Sequence, residues 1–173
     1  AHLDDWRPEV HDSDGLALWM RGGERLWRPL NNPPFTTISS FSDTDPRGFG
    51  LLQRDRNFDH CQDGVMYDRR PSLWVEPVEP LGAGRVELLE IPTDDEIHDN
   101  VGAFWVPDAP ATKGSQYKLH YRLFWKDNEP HPADNIAQTV ATRIGRGGEP
   151  GKPRPDNVFK FAVEFDRPSV MTQ

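Results

Sequence analysis

The 173-residue chain has a net charge of −8 and only 35% hydrophobic residues. Nucleic acids and anionic membranes attract basic surfaces, so this composition argues against both as the main partner. We also expect no membrane insertion, because no apolar run approaches the roughly 18 residues of a membrane span. The length favours a single domain, and the single Cys61 cannot form an internal disulfide.

The predicted elements, in chain order, are all strands. Residues 16–20 and 25–28 flank Arg21-Gly-Gly-Glu24, a sequence typical of a hairpin turn. Further strands are predicted at residues 35–41, 49–53, 72–76, 85–91, 101–106, 117–125 and 157–165. Prolines lie at most junctions, and no stretch has the pattern of an amphipathic helix. The sequence therefore predicts an all-β, antiparallel β-sandwich.

One segment interrupts this pattern. Residues 145–155 are rich in Gly and Pro and indicate a domain linker or a long loop. The strand predicted at residues 157–165 lies only eight residues from the end of the chain. We therefore interpret it as the first strand of a further domain.

The segment from Ile91 to Asn100, here called the acid loop, carries four carboxylates and a histidine between two apolar strands. If Glu96 and Asp99 share one helical turn, their Cβ atoms lie about 5–6 Å apart. Such a pair can hold a proton and act as a general acid. The alternative is a solvated acidic turn, with Thr93 and Glu96 as its capping box.

A second acidic cluster, His11-Asp-Ser-Asp-Gly15, precedes the first strand. An Asx-turn is one interpretation, and a catalytic base or a metal loop is the other. An EF-hand loop does not fit here, because Leu16 occupies a ligand position. Residues 55–60 come nearer to that pattern, but His60 replaces the required Gly. We predict no metal site and no cofactor.

Two basic segments, Gln53-Arg-Asp-Arg56 and Tyr67-Asp-Arg-Arg-Pro71, combine arginines and aspartates with nearby aromatic rings. This combination suits sugar hydroxyls, through bidentate polar contacts and a stacking face. A salt-bridge network that braces a long loop explains the same residues equally well. The candidate substrate contacts are Arg54, Asp55, Tyr67, Arg69 and Arg70.

Four motifs in order resemble one known family. They are Trp27-Arg-Pro-Leu-Asn-Asn-Pro33, Gly48-Phe-Gly-Leu-Leu-Gln-Arg-Asp-Arg56, Arg69-Arg-Pro-Ser-Leu-Trp-Val-Glu-Pro77 and Glu90-Ile-Pro-Thr-Asp-Asp-Glu96. The family is that of the periplasmic glucan biosynthesis proteins OpgG and OpgD (MdoG and MdoD). The resemblance implies a periplasmic protein that acts on a β-1,2-linked glucan backbone.

The resemblance also implies a domain organisation. Residues 1–144 correspond to the later part of a β-sandwich similar to galactose mutarotases, and residues 145–157 to a linker or long loop. Residues 158–173 correspond to the start of an immunoglobulin-like domain. A neighbouring subunit can contribute to the site in this family, so a homodimer is a further expectation.

The resemblance assigns roles to the acidic residues. It implies Asp99 as general acid, with Glu96 beside it, and Asp12 in preference to Asp14 as the base-side carboxylate. Tyr67 matches a substrate-contacting position. Inverting glycosidases need two carboxyls roughly 6.5–9.5 Å apart. The expected function is an inverting β-1,2-glucan hydrolase or transglycosylase, and the alternative is a glucan-binding module that does not cleave.

Overall fold

The structure is a computed structural model that describes residues 13–61, 66–93, 99–131, 137, 139–149, 151–153 and 155–166. Within these residues the chain forms ten strands, one short helix and one 3-10 turn. The strands are β1 (Gly15–Trp19), β2 (Arg25–Pro29), β3 (Thr37–Thr44), β4 (Gly48–Leu52), β5 (Ser72–Pro77), β6 (Ala83–Glu90), β7 (Val101–Pro107), β8 (Tyr121–Lys126), β9 (Thr139–Arg146) and β10 (Phe159–Phe165). The helix α1 (Phe58–Cys61) and the 3-10 turn (Tyr67–Arg69) lie between β4 and β5.

The first compact unit, which ends at Pro130, contains two antiparallel sheets. One sheet has the order β2-β1-β4-β5-β8, and the other has the order β3-β6-β7. Their facing sides pack together through Leu16, Leu18 and Phe49 of the first sheet and Val86 and Leu88 of the second, all at most 4% exposed. The predicted all-β antiparallel sandwich is therefore confirmed. The likeness to galactose mutarotases stays a prediction.

The strand register divides this unit into two opposite ends. The acid-loop end holds the start of β1, β3, β5 and β7, the end of β2, β4, β6 and β8, and the loops that join them there. The hairpin end holds residues 20–24, the turn between β3 and β4, and the connection from β5 to β6. Every candidate residue that the structure describes lies at or beside the acid-loop end.

The prediction for residues 117–125 is wrong at its beginning, because β8 starts only at Tyr121. Its partner β5 ends at Pro77, which pairs with Tyr121, and beyond that point the N–H groups of Val78 and Glu79 both donate to the His120 carbonyl instead of continuing the ladder. The apolar face of β8 remains open, with Tyr121, Leu123 and Trp125 between 47% and 63% exposed.

A second compact unit runs from His131 to the end of the chain. Its described part is an antiparallel pair of β9 and β10. Strand β9 was not predicted, and its last two residues fall within the segment 145–157 that was interpreted as a linker or long loop. The rest of that segment joins the two strands. The assignment of residues 158–173 to an immunoglobulin-like domain stays a prediction.

Candidate functional site

The acid loop is attached to the other sheet by a pair of hydrogen bonds between Asn32 and Thr93. The Asn32 Nδ2 donates to the Thr93 carbonyl oxygen at 2.6 Å, and the Thr93 N–H donates to Asn32 Oδ1 at 3.1 Å. Asn32 follows β2 in the first sheet, and Thr93 follows β6 in the second. The amide side chain thus joins the two sheets at the acid-loop end.

The same loop is closed at its base by Ile91 and Asn100. The Ile91 N–H donates to the Asn100 carbonyl at 2.8 Å, and the Asn100 Nδ2 donates to the Ile91 carbonyl at 3.0 Å. These bonds continue the ladder between β6 and β7 by one step. Asp99, beside this closure, has an exposed side chain.

A partly buried ion pair, in which the Arg28 side chain is 23% exposed, lies next to the start of the loop. The Arg28 Nη2 contacts Glu90 Oε2 at 2.8 Å, and Glu90 is only 1% exposed. The Asn31 N–H donates to the other carboxylate oxygen, Glu90 Oε1, at 2.6 Å. Both carboxylate oxygens therefore have donors, which a buried charge requires. The pair holds the end of β2 against the end of β6.

The described part of the first acidic cluster is held by backbone bonds. The Asp14 Oδ2 accepts the N–H groups of Arg54 and Asp55, and its Oδ1 accepts the Gln53 Nε2 at 3.0 Å. Burial raises the pKa of Asp14, although the two backbone hydrogen bonds act in the opposite direction. The Asp14 carboxylate therefore serves to fix the chain where it leaves β4.

Arg54 and Asp55 take part in the same bracing. The Arg54 Nη2 contacts Glu129 Oε2 at 2.7 Å, and its guanidinium lies 3.6 Å above the centre of the Trp27 ring. The Asp55 carboxylate accepts the Asn57 N–H at 2.9 Å and pairs with the His60 ring. The Arg54 contact with Glu129 holds the segment after β4 to the segment after β8, and the Asp55 contacts brace the segment after β4 itself.

The 3-10 turn is fastened to this segment by an arginine that was not among the candidates. The Arg56 Nη1 donates to the carbonyls of Asp68 and Arg70 at 3.1 and 2.9 Å. Tyr67 is only 4% exposed, with the Arg70 guanidinium 5.3 Å from its ring centre. The side chain of Arg69 is 76% exposed and is the most open of the basic candidates.

Comparison with known proteins matches the whole chain, residues 1–173, to the family model "Periplasmic glucan biosynthesis protein, MdoG". The chain belongs to this family. Similar curated proteins include Glucans biosynthesis protein D 2 of Ralstonia nicotianae, 66% identical over 93% of the chain, and Glucans biosynthesis protein D of Xanthomonas oryzae pv. oryzae, 55% identical over 93%. Another is Glucans biosynthesis protein D of Stenotrophomonas maltophilia, 53% identical over 94% of the chain. The chain spans 30% of the length of these relatives.

For this member of the glucan biosynthesis family, the structure describes some of the predicted site residues but not all of them. Asp12 and Glu96 lie outside the described residues. Asp99, Arg54, Asp55, Tyr67, Arg69 and Arg70 are all at or beside the acid-loop end. Arg54 and Asp55 have the contacts of a bracing network, so that interpretation applies to them, and their contact with a substrate stays a prediction.

Arg28, Asn32 and Glu90 were not predicted as site residues, although a signal for two of them was present in the sequence. In β6 the inward positions are Gly84, Val86, Leu88 and Glu90, so alternation alone points Glu90 into the core. In β2 the partly buried Leu26 packs on the core and Arg28 lies two residues further along. A carboxylate and a guanidinium that both point inward are expected to pair, because an unpaired buried charge is costly.

Among the residues that the structure describes, none belongs to a helix long and apolar enough to cross a membrane. The family to which the chain belongs is named periplasmic.

Proposed function

We propose that this chain is part of a periplasmic enzyme that cleaves or transfers a β-1,2-linked glucan backbone with inversion at the anomeric carbon. Asp99 is the general acid, Glu96 supports it, and Asp12 supplies the carboxylate on the other side of the sugar. The family name supports glucan biosynthesis and the periplasm. The linkage and the chemistry are proposed here.

The observation that carries the proposal is the attachment of the acid loop through Asn32 to the end of β2. Pro29, at that end, pairs with Gly15, and the Leu30 N–H donates to the Asp14 carbonyl at 2.9 Å. The described residues of the two acidic segments, which are far apart in sequence, thus lie at the same end of the sandwich. An inverting glycosidase needs this arrangement, because its acid and base come from opposite sides of the scissile bond.

The division of labour follows from the contacts of Asp14. Its carboxylate accepts three N–H groups, so it is already committed to the turn after β4. A general base turns a free lone pair towards the attacking water, whereas these bonds occupy three of the roughly four lone-pair sites of Asp14. This supports Asp12 in preference to Asp14 as the base-side residue.

The second candidate is a module that binds the glucan without cleaving it. Ion pairs hold Arg54 and Asp55 in place, and the side chain of Arg69 is exposed. These residues favour a binding module, because they give a rigid polar surface with an exposed guanidinium. A binding module keeps this surface and does not need a protonated Asp99.

The test compares Asp99→Asn with wild type in the full-length protein, on linear β-1,2-glucan. We expect a loss of rate of about 10²–10⁴-fold, the usual contribution of a general acid. Asp108→Asn is the matched control, because Asp108 follows β7 at the hairpin end and is 62% exposed, whereas Asp99 precedes the same strand. It should retain the wild-type rate.

The products are resolved by chromatography, and their anomeric form is followed by NMR from the first turnover. Equal rates for wild type and Asp99→Asn would refute Asp99 as the acid. A wild-type protein that binds the glucan but releases no product would leave the binding module as the function. Retention of configuration would exclude the inverting mechanism.

A further inference from the structure

The base of the acid loop is held in two separate ways. The bonds between Ile91 and Asn100 close the loop upon itself, within the second sheet. The Asn32–Thr93 bonds join the loop to the first sheet. Loss of the second set therefore leaves the loop closed but removes a tie that sets its position relative to β1 and β2.

The geometry of the Asn32 side chain suits this task. A side-chain amide that donates to the carbonyl and accepts from the N–H of one residue copies the pairing of two residues in a β-ladder. It fixes the distance and also the orientation of Thr93, which a single hydrogen bond does not. Asn32 is only half-buried and lies in a loop, so its removal leaves no buried charge or core cavity.

The buried pair of Arg28 and Glu90 provides the support on which Asn32 depends. Glu90 accepts the Asn31 N–H and also pairs with Arg28. The backbone next to Asn32 is therefore fixed to Glu90, the last residue of β6 before the acid loop. From Asp14, the path runs through Leu30 and Asn32 to Thr93. This short path connects the two acidic segments.

We propose that Asn32 is a positioning residue, which holds the start of the acid loop in place relative to the first sheet by its paired bonds to Thr93. The role in catalysis rests on the proposed function, whereas the attachment itself does not. A displacement of about 1 Å in a reacting group can cost about 100-fold in rate. Asn32 acts through Thr93 and needs no contact with the glucan.

The test uses Asn32→Ala in the full-length protein, with Asn157→Ala as control, because Asn157 lies in an exposed turn between β9 and β10. We expect kcat on linear β-1,2-glucan to fall by about 100-fold. Two substrates separate positioning from general damage. A β-1,2-linked oligosaccharide with a 2,4-dinitrophenyl leaving group needs no proton from the acid, so its rate should match wild type.

A second measurement is independent of activity. Amide hydrogen exchange at Thr93 should become roughly tenfold faster in Asn32→Ala, because its hydrogen-bond acceptor is lost. Exchange at Ile91, which donates to Asn100, should remain at the wild-type rate. Thermal unfolding of both alanine variants checks that the fold persists.

An equal loss of rate on both substrates would overturn the positioning role, because damage to the whole site lowers both. Unchanged exchange at Thr93 would overturn the attachment. If the wild-type protein cleaves neither substrate, the proposed function fails, and the exchange rates at Thr93 and Ile91 alone decide whether Asn32 holds the loop.

Discussion

The two ends of the sandwich contain similar residue types in very different settings. At the acid-loop end, Arg28 pairs with Glu90, which is 1% exposed and also binds a backbone N–H. At the hairpin end, Arg21 pairs with Asp45 at 3.1 Å, but the arginine side chain is 63% exposed. The Arg28 side chain is 23% exposed, so the first pair is partly buried with a fully buried carboxylate, and the second is on the surface.

The difference in burial between the two ion pairs indicates which end of this acidic chain is the better candidate for function. Carboxylates at both ends accept backbone N–H groups, and Asp43 and Asp45 at the hairpin end bind those of Arg21 and Gly82. Among the residues that the structure describes, only the acid-loop end has an ion pair with a buried carboxylate that joins the two sheets next to an exposed acid. Acidic residues are present at both ends, so they do not by themselves distinguish the candidate site. The buried carboxylate of Glu90 does distinguish it.

The largest expected effect comes from Glu90→Ala. It leaves Arg28 without its buried partner and the Asn31 N–H without an acceptor. Removing one partner of a buried ion pair costs about 3–5 kcal/mol in the free energy of unfolding, and we expect about 3 kcal/mol here, because the Arg28 side chain that remains is 23% exposed. Chemical denaturation of the full-length protein measures it, with Asp108→Ala as the exposed control. A loss below about 1 kcal/mol, the range of surface pairs, would remove the distinction between the two ends.

A smaller loss is expected for Arg54→Ala. The substitution removes a partly buried bond to Glu129 and the stacking on Trp27. Hydrogen bonds to charged groups contribute about 1.5–3 kcal/mol each. The same denaturation experiment applies, and Arg69→Ala, which removes a side chain that is 76% exposed, is the matched control. Equal stability of the two variants would show that the bracing network adds nothing.

The sequence predicted the fold well where alternation was uninterrupted. Strands β6 and β7 lie within two residues of their predicted bounds, because each keeps apolar residues on one face. The prediction missed β9. Val140 and Ile144 lie on one face of this strand, but the strand adjoins a Gly/Pro-rich stretch. That strand forms by pairing with β10, and a local pattern does not report such a partner.

The site was predicted less completely, for a related reason. The acid loop and Asp99 were identified from local composition and from the resemblance. The Arg28–Glu90 contact joins residues 62 positions apart, and it depends on how two sheets face each other. Alternation shows that Glu90 points inward, but it does not show which strand supplies the cation. Tertiary packing decides that.

A pH-dependent difference is expected for Asp14→Asn. Because burial raises the pKa of Asp14 above 3.8, the folded protein binds this proton more tightly than the unfolded chain. The stability that Asp14 contributes therefore rises as pH falls through its folded pKa, and it levels off below 3.8. The Asn variant has no titrating carboxyl at this position and therefore lacks this pH-dependent contribution to stability. The wild-type protein should gain stability relative to Asp14→Asn between pH 7 and about pH 4.

Denaturation midpoints of the two proteins at several pH values measure this gain. Asp108→Asn, at the other end of the sandwich, gives the reference for a carboxylate that is 62% exposed. A wild-type protein that instead loses stability relative to Asp14→Asn as pH falls would contradict the assignment, since it would mean that the backbone N–H bonds outweigh burial.

The smallest effect is expected for Asp45→Asn at the hairpin end. Asp45 has a φ of 55°, a left-handed conformation that Asn tolerates as well as Asp, so the turn is preserved. The Asn side chain keeps an oxygen to accept the Gly82 N–H, and only the ion pair with Arg21 is lost. The cost should be about 0–1 kcal/mol and should vanish in high salt, because exposed pairs are screened. A larger, salt-independent loss would show that the hairpin end is also held by its charges, and the contrast between the two ends would then be one of degree.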